Sequence, residues 1–350
     1  MKLSKREPGR GFTLVEATVA MAIGLIVLAS IVSLFKTAMN STMLMTQRAE
    51  TQQNMRGAMD LMVKDISMAG AGLPSGGIQL PVGAVTKFGC DQTGTCHVAT
   101  HAYPTGNYMY GIIPGYTNGV EGGAVIPAAP TAINDSITSI YCDYNFPLFE
   151  YTVTFQSPYV NQITLAPATG FTPPAINSNG GIQVGDLIML SNTAGTEVGE
   201  VTTLNATTIT FAALDPLNFN VAAGANTVAS ISGGSNTVAY RLYAVTYYLT
   251  VPGAGQTPRL MRQVNGLTPV PVADDIINLQ FAYDIYNSTT NALDADEPNP
   301  LGVGDSPNNM QKINIIVMGE SMLTNGNKSQ NMYLATGVSA RNMAFRNRYQ

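Results

Sequence analysis

The sequence predicts an α+β fold in which a long N-terminal helix packs on an antiparallel β-sheet, with a further β-rich region inserted. Three observations support this prediction. The stretch from Phe12 to Phe35 contains 24 residues and a single charge, Glu16. Residues 36–68 contain no proline and repeat apolar side chains with a helical period. Beyond Pro74 the helical period ends, and glycine- and proline-rich turns separate short alternating runs.

The apolar stretch at 12–35 is long enough to cross a bilayer as a helix, which needs roughly 20 residues. It follows a basic leader, residues 1–11, with four basic side chains against one acidic side chain. A secretory signal is cleaved after its apolar core. Here the best candidate cleavage site, the Gly11–Phe12 junction, comes before the apolar core. Cleavage at this junction would remove the charges and keep the anchor.

The amphipathic half of the helix is predicted at 36–70. Its apolar face repeats at positions i, i+4, i+7 and i+11, namely at Met55, Met59, Met62 and Ile66. This methionine-rich face can pack against the protein's own sheet or against neighbouring subunits, and both interpretations stay open. Glycines at 70 and 72 and a proline at 74 predict the end of the helix.

Two β regions follow the helix. We expect a β-rich variable region at 75–235, including a small β meander near 182–213, and a C-terminal antiparallel sheet at 238–350. The most regular predicted strands are Val238–Val251, Arg259–Val264, Ile276–Tyr286, Gln311–Glu320 and Leu334–Phe345.

Charge constrains the function. Only 11% of the residues are charged, and removal of the leader takes the formal net charge from −5 to −8. A general nucleic-acid binder should present a basic surface, so no direct nucleic-acid partner is expected. The basic leader would stay in the cytoplasm by the positive-inside rule, which sends the C-terminal bulk across the membrane.

The block GFTLVEATVAMAIGLIVL, which begins at Gly11, resembles the class III signal of type IV prepilins and pseudopilins. The resemblance implies that a prepilin peptidase cleaves between Gly11 and Phe12 and that the new N-terminus of Phe12 is methylated. It also implies that Glu16 is the family's glutamate at the fifth mature position. The expected location is the bacterial inner membrane, as a single-pass protein with its C-terminal domain in the periplasm, and then the pilus, at its tip.

Segments near the C-terminus, at 241–249, 260–262, 272–276, 279–283 and 336–342, are similar to PilW-type minor pilins. That resemblance implies a pilin-like, non-enzymatic subunit without cofactors that helps to prime, assemble or cap type IV pili. Its partners would be the major pilin, other minor pilins and the inner-membrane assembly platform. Two alternatives stay open. One is a minor pseudopilin of a type II secretion system. The other is a tip adhesin with an exposed aromatic pocket formed by Tyr103, Tyr108, Tyr110 and Tyr116.

Glu16 is a candidate assembly residue because a carboxylate within an apolar helix is energetically costly and usually functional. Cleavage after Gly11 creates a free amine on Phe12. We expect the Glu16 carboxylate of an incoming subunit to pair with the Phe12 amine of its neighbour. The simpler alternative is that Glu16 reaches the lipid headgroups.

The cysteines Cys90, Cys96 and Cys142 all lie in the part predicted to be translocated. In an oxidising periplasm, Cys90 and Cys96 could form a disulfide that closes a tight loop. Pairing of Cys142 with either one is the competing arrangement.

Metal binding is not expected. His97 and His101 lack the glutamate of a zinc-protease motif, because Val98 stands in its place. Four acidic residues in one loop are a candidate calcium site, although their spacing does not fit an EF-hand and a solvated acidic loop is the default. These residues are Asp294, Asp296, Glu297 and Asp305.

Overall fold

The computed structural model describes residues 11–103, 106–129, 131–157, 160–221, 225–253, 256–321 and 330–344. The leader predicted at 1–11 therefore lies outside the described residues, except for Gly11. The chain divides into two compact units, Met1–Glu50 and Thr51–Gln350.

The first unit is helical from Leu14 onward, where helix α1 (Leu14–Ser67) begins. Almost every side chain between Phe12 and Glu50 is exposed, including the large apolar ones. Among the described residues, α1 is the one helix that is long and apolar enough to cross a membrane. An apolar helix without a protein cover needs lipid or other helices around it.

The described residues of the second unit form the last turns of α1, seventeen strands and a short helix, α2 (Arg341–Ala344). In chain order the strands are β1 (Ile78–Gln79), β2 (Tyr108–Met109), β3 (Ile112–Gly115), β4 (Ser136–Asp143), β5 (Tyr151–Phe155), β6 (Gln162–Pro167), β7 (Leu187–Asn192), β8 (Gly195–Glu200), β9 (Thr203–Asn205), β10 (Thr208–Thr210), β11 (Val238–Thr250), β12 (Arg259–Val264), β13 (Val270–Asp274), β14 (Ile276–Asn287), β15 (Ala292–Glu297), β16 (Met310–Glu320) and β17 (Asn331–Ser339). Five 3₁₀ turns are at Ala84–Lys87, Glu121–Gly123, Leu148–Glu150, Val228–Ile231 and Pro307–Asn309.

The described strands form four antiparallel sheets. The largest has seven strands in the order β13-β12-β11-β4-β3, with β7 and β8 added beside β11. One edge of β11 pairs with β7 along residues 238–242 and with β12 along 245–250, while its other edge pairs with β4. A four-stranded sheet has the order β15-β14-β16-β17, and a second has the order β5-β6-β10-β9. Strands β1 and β2 form a short pair.

Within the second unit, the end of α1 packs on antiparallel strands, which confirms the predicted pilin-like α+β fold. The four side chains of the predicted apolar stripe, Met55, Met59, Met62 and Ile66, are at most 4% exposed. They share one core cluster with side chains from the seven-stranded sheet and from the β14–β17 sheet. In these turns the stripe therefore packs against the protein's own sheets.

The strand predictions differ from the structure in two places. The short strands at 182–213 do not form one meander, because β7 and β8 belong to the seven-stranded sheet whereas β9 and β10 join β6. The closing strand ends at Ser339, and Arg341–Ala344 turns into a helix. The seven-stranded sheet also combines strands from 75–235 with strands from 238–350. Pattern alone does not identify the partner of a short strand, because many strands share the same alternation.

Candidate processing and assembly site

The first turn of α1 is closed by a reciprocal pair of polar side chains. The backbone N–H of Glu16 donates to Thr13 Oγ1 at 3.3 Å. In return, Glu16 Oε2 accepts hydrogen bonds from the Thr13 backbone N–H at 3.0 Å and from the Thr13 hydroxyl at 2.9 Å. This is a capping box, in which two backbone N–H groups at the helix start are satisfied by side chains. Sequence reasoning singled out Glu16 and missed Thr13, although Ser or Thr followed by Glu three residues later is the known sequence signal.

The two residues that flank the expected cleavage point are open to approach. Gly11 lies before the helix, and a Cβ placed on it would meet no atom of the described residues within 4 Å. The Phe12 side chain is 84% exposed. Both residues precede Leu14, where the helix begins, so the peptide bond between them is held in no regular structure. A protease needs such a bond, because it must bind its substrate in an extended form.

The cysteines lie in two different places. Cys90 and Cys96 are joined by a disulfide, and Cys142 is a buried free thiol. The disulfide loop is further closed by Asp91, whose Oδ1 accepts the backbone N–H groups of Thr93 at 2.9 Å and Thr95 at 3.0 Å.

The two histidines do not act together. His97 Nδ1 is hydrogen-bonded to Glu121 Oε1, and its ring stacks on Tyr248 at a centroid distance of 5.6 Å. His101 Nε2 instead contacts Asn118 Nδ2 at 2.8 Å. Among the described residues, no three His, Cys, Asp or Glu side chains are grouped so that they could hold a metal ion.

The acidic loop that was the calcium candidate is occupied by protein donors. Asp305 Oδ2 accepts the N–H of Gly302 at 2.9 Å, and Asp305 Oδ1 accepts Asn287 Nδ2 at 3.1 Å. Glu297 Oε1 accepts the N–H of Asn299 at 3.1 Å. Asp296 contacts the side-chain amide of Asn314. Carboxylates that accept hydrogen bonds in this way have fewer lone pairs to offer a cation.

Three of the four tyrosines expected to form an exposed aromatic pocket pack against one another. Tyr103 and Tyr110 are 2% and 8% exposed, and their rings meet edge to face at 5.5 Å. Tyr108 stacks on Tyr110 at 6.0 Å. These three side chains belong to a core cluster or pack against it.

Comparison with known proteins gives one finding, and it falls on this site. Residues 9–32 match the family described as the prokaryotic N-terminal methylation motif. No curated protein and no solved structure matches the chain.

The fold and the site together define a protein with an exposed, apolar N-terminal helix that leads into a large β-rich unit. The chain carries the N-terminal methylation motif, or class III signal, of the type IV pilin and pseudopilin family. Proteins of this family are generally structural and non-enzymatic. The motif implies processing by a prepilin peptidase, and the apolar helix is consistent with anchoring in the inner membrane.

Proposed function

We propose that the chain is a minor pilin, a non-enzymatic subunit that helps to prime, assemble or cap type IV pili after cleavage of its leader and methylation of Phe12. The observation that carries the proposal is the matched motif at 9–32 on an exposed apolar helix. The helix would enter a filament core, where contact with neighbouring helices contributes roughly 25 cal/mol per Å² of buried apolar surface.

The size of the second unit, Thr51–Gln350, favours a low copy number. A unit of this size would be crowded if it were present at every position of a thin fibre, whereas a priming complex at the tip needs few copies. A minor pseudopilin of a type II secretion system remains the alternative. The large tip pseudopilin characteristically lacks the glutamate that is present here as Glu16, which favours the pilus.

The capping box supports a role for Glu16 in assembly. Both hydrogen bonds that Glu16 accepts from Thr13 go to Oε2. Oε1 accepts no hydrogen bond from any described residue. It is therefore available to the cationic amine of Phe12 on a neighbouring subunit.

Mass spectrometry of the chain extracted from membranes tests the processing step. We expect the mature chain to begin at a methylated Phe12. An intact leader in cells that contain the peptidase would contradict the proposal. The mature N-terminus does not separate a pilin from a pseudopilin. We therefore expect deletion of the gene to reduce the number of pili while type II secretion is unchanged, and the opposite result would favour the pseudopilin.

The substitution Glu16→Ala tests the assembly step. We expect it to be processed normally but to lower pilus number by about tenfold or more, because an unpaired amine would remain in the filament core. Glu50→Ala is the matched control, since Glu50 is also exposed on α1 but lies outside the apolar stretch. Equal pilus numbers in the two variants would contradict a pairing role for Glu16.

A further inference from the structure

The outer edge of β17 is an unusual surface on the second unit. Strand β17 forms one edge of the four-stranded sheet, where its described pairing partner is β16. It is nine residues long, and the sequence Asn331–Ser339 contains no charged residue and no proline. An exposed edge of this kind is a template for another strand.

The hydrogen bonds at the two ends of the β16–β17 ladder show which backbone groups face outward. Ser321 donates its N–H to the carbonyl of Gln330 at 3.0 Å, and Ala340 donates to the carbonyl of Gln311 at 3.0 Å. Hydrogen-bonded and non-hydrogen-bonded pairs alternate along an antiparallel ladder, and the register between these ends is unbroken. The even-numbered residues of β17 therefore bond to β16. The odd-numbered residues point their N–H and C=O groups outward, and no described residue pairs with them: Asn331, Tyr333, Ala335, Gly337 and Ser339.

Three other strand edges in the same unit carry features that protect them. At the opposite edge of this sheet, β15 carries three acidic side chains in six residues, and its register with β14 is broken. Two outer strands of the seven-stranded sheet, β13 and β3, contain Pro271 and Pro114. Charges, irregular pairing and proline are the usual means of preventing a further strand from adding. The five-residue edge strand β5 also lacks them. Strand β17 has none of them and, at nine residues, is the longest edge strand of the described sheets, which indicates that its edge is open to a partner.

A recess beside this edge adds a place for a side chain. It has a volume of about 100 Å³ and lies between α1 and β17, where it is lined by Gln52, Met55, Arg56, Met332, Tyr333 and Leu334. Tyr333 is 73% exposed at its rim. In recognition by strand addition, backbone hydrogen bonds supply affinity and such recesses select alternate side chains.

We propose that the outer edge of β17 binds an extended, uncharged strand of another subunit of the same assembly, which becomes the fifth strand of this sheet. The proposal rests on the proposed function. A low-copy subunit has no second copy beside it, so the strand must come from a different subunit. The bound strand would exchange backbone hydrogen bonds with the outward-facing residues and place one small side chain in the recess.

Photo-crosslinking in intact cells tests where the strand binds. Tyr333 is replaced by p-benzoylphenylalanine, which keeps an aromatic side chain at the edge, and adducts are mapped by peptide mass spectrometry. Leu293 on β15 is the control position, since it is 50% exposed on the protected edge. We expect position 333 to crosslink to an extended segment of another subunit, and position 293 to give no such adduct. Adducts of position 333 with a second copy of this chain alone, or with a helix, would overturn the proposal.

The substitution Ala335→Pro, in the same crosslinking chain, tests the hydrogen bonds directly. Proline removes the outward N–H at this position and leaves the bonds to β16 in place. We expect the crosslink to fall by about tenfold or more with little change in the melting temperature, whereas Ala335→Ser should match the parent. An unchanged crosslink in a chain that begins at methylated Phe12 would overturn the edge proposal alone. A chain that is never processed would instead count against the proposed function.

Discussion

Arg262 donates its Nε–H to Asp65 Oδ2 at 2.8 Å and so joins β12 to the last turn of α1. Asp65 is 3% exposed, and it also accepts the hydroxyl groups of Tyr141 at 2.9 Å and Tyr247 at 2.5 Å. Its backbone carbonyl accepts the hydroxyl of Ser139 at 2.7 Å. A buried carboxylate is tolerated because three donors satisfy it. This one residue connects the helix to β4, β11 and β12.

Removal of this carboxylate should destabilise the second unit. We expect Asp65→Ala to lower the free energy of unfolding by roughly 3–5 kcal/mol, because it leaves the half-buried Arg262 side chain and two tyrosine hydroxyls without their acceptor. Urea denaturation of the full chain in detergent would measure the change. Asp60→Ala is the control, since Asp60 is exposed on the same helix and its loss should cost less than about 0.5 kcal/mol. Similar costs for the two variants would contradict a central role for Asp65.

A second buried carboxyl should make stability depend on pH. Glu200 is fully buried at the end of β8, where its Oε2 accepts the N–H of Leu217 at 3.2 Å. Burial, together with the neighbouring Asp215 carboxyl group, raises the pKa of Glu200 from 4.5 to about 8. Burial likewise raises the pKa of Glu197 to about 7.

The direction in which stability changes with pH follows from which state binds the Glu200 proton. Between pH 4.5 and about 8 the folded chain keeps the Glu200 proton, whereas the unfolded chain has lost it. The stability that the Glu200 proton contributes is therefore fully present below pH 4.5 and is lost as the pH rises through about 8. The loss is about 1.4 kcal/mol for each unit of difference between the folded and unfolded pKa values. Urea denaturation at pH 5 and pH 8.5 should show the second unit less stable at the higher pH.

The substitution Glu200→Gln should flatten this pH profile, because an amide has no proton to lose. We expect the variant to be about 1 kcal/mol less stable than the parent at pH 5 and at least as stable at pH 8.5. A smaller dependence of the unfolding free energy on pH, due to Glu197, should remain. Glu150→Gln is the control at a partly exposed site and should leave the profile unchanged. A profile for Glu200→Gln that is identical to the parent would contradict the assignment.

The sequence predicted the helix and the longest strands because their patterns are local. Met55, Met59 and Met62 repeat with the helical period within two turns, and apolar side chains alternate along β14 from residue 277 to residue 285. The links of Asp65 could not be predicted in this way. Its partners Tyr247 and Arg262 lie nearly 200 residues further along the chain, and no local pattern marks a residue for a distant partner. The capping box of the candidate site is different, because Thr13 and Glu16 are only three residues apart. A local sequence signal therefore marks this pair, even though the sequence analysis identified only Glu16.

Glycine is required at position 111 by a close backbone approach. A Cβ on Gly111 would lie 2.5 Å from the backbone nitrogen of Gly70 and 2.7 Å from its Cα. Gly70 and Gly111 are both hydrogen-bonded to Ile140 of β4. The N–H of Gly70 donates to the carbonyl of Ile140 at 2.9 Å, and the N–H of Ile140 donates to the carbonyl of Gly111 at 2.8 Å. Backbone atoms that are held in this way cannot shift without losing these hydrogen bonds.

We therefore expect Gly111→Ala to cost roughly 1–3 kcal/mol of unfolding free energy. Gly76→Ala is the matched control, because a Cβ there meets no described atom within 4 Å and its φ is compatible with alanine. That variant should be neutral or slightly more stable. Thermal unfolding of the two variants side by side measures the difference, and an unchanged melting temperature for Gly111→Ala would contradict the close approach.

The disulfide between Cys90 and Cys96 should stabilise the folded chain by about 2 kcal/mol, the value expected for a loop of this length. Reductant should therefore lower the melting temperature of the parent by about 5 °C, and it should have no effect on a variant with both cysteines changed to serine.

The free thiol of Cys142 allows a separate test of which cysteines are paired. Burial raises the pKa of its thiol to about 12, with a contribution from the neighbouring Asp143 carboxylate. Without reductant, the folded chain should resist iodoacetamide and the unfolded chain should take up one equivalent at Cys142. A peptide that links Cys142 to Cys90 or Cys96 would show that a different pair is bonded.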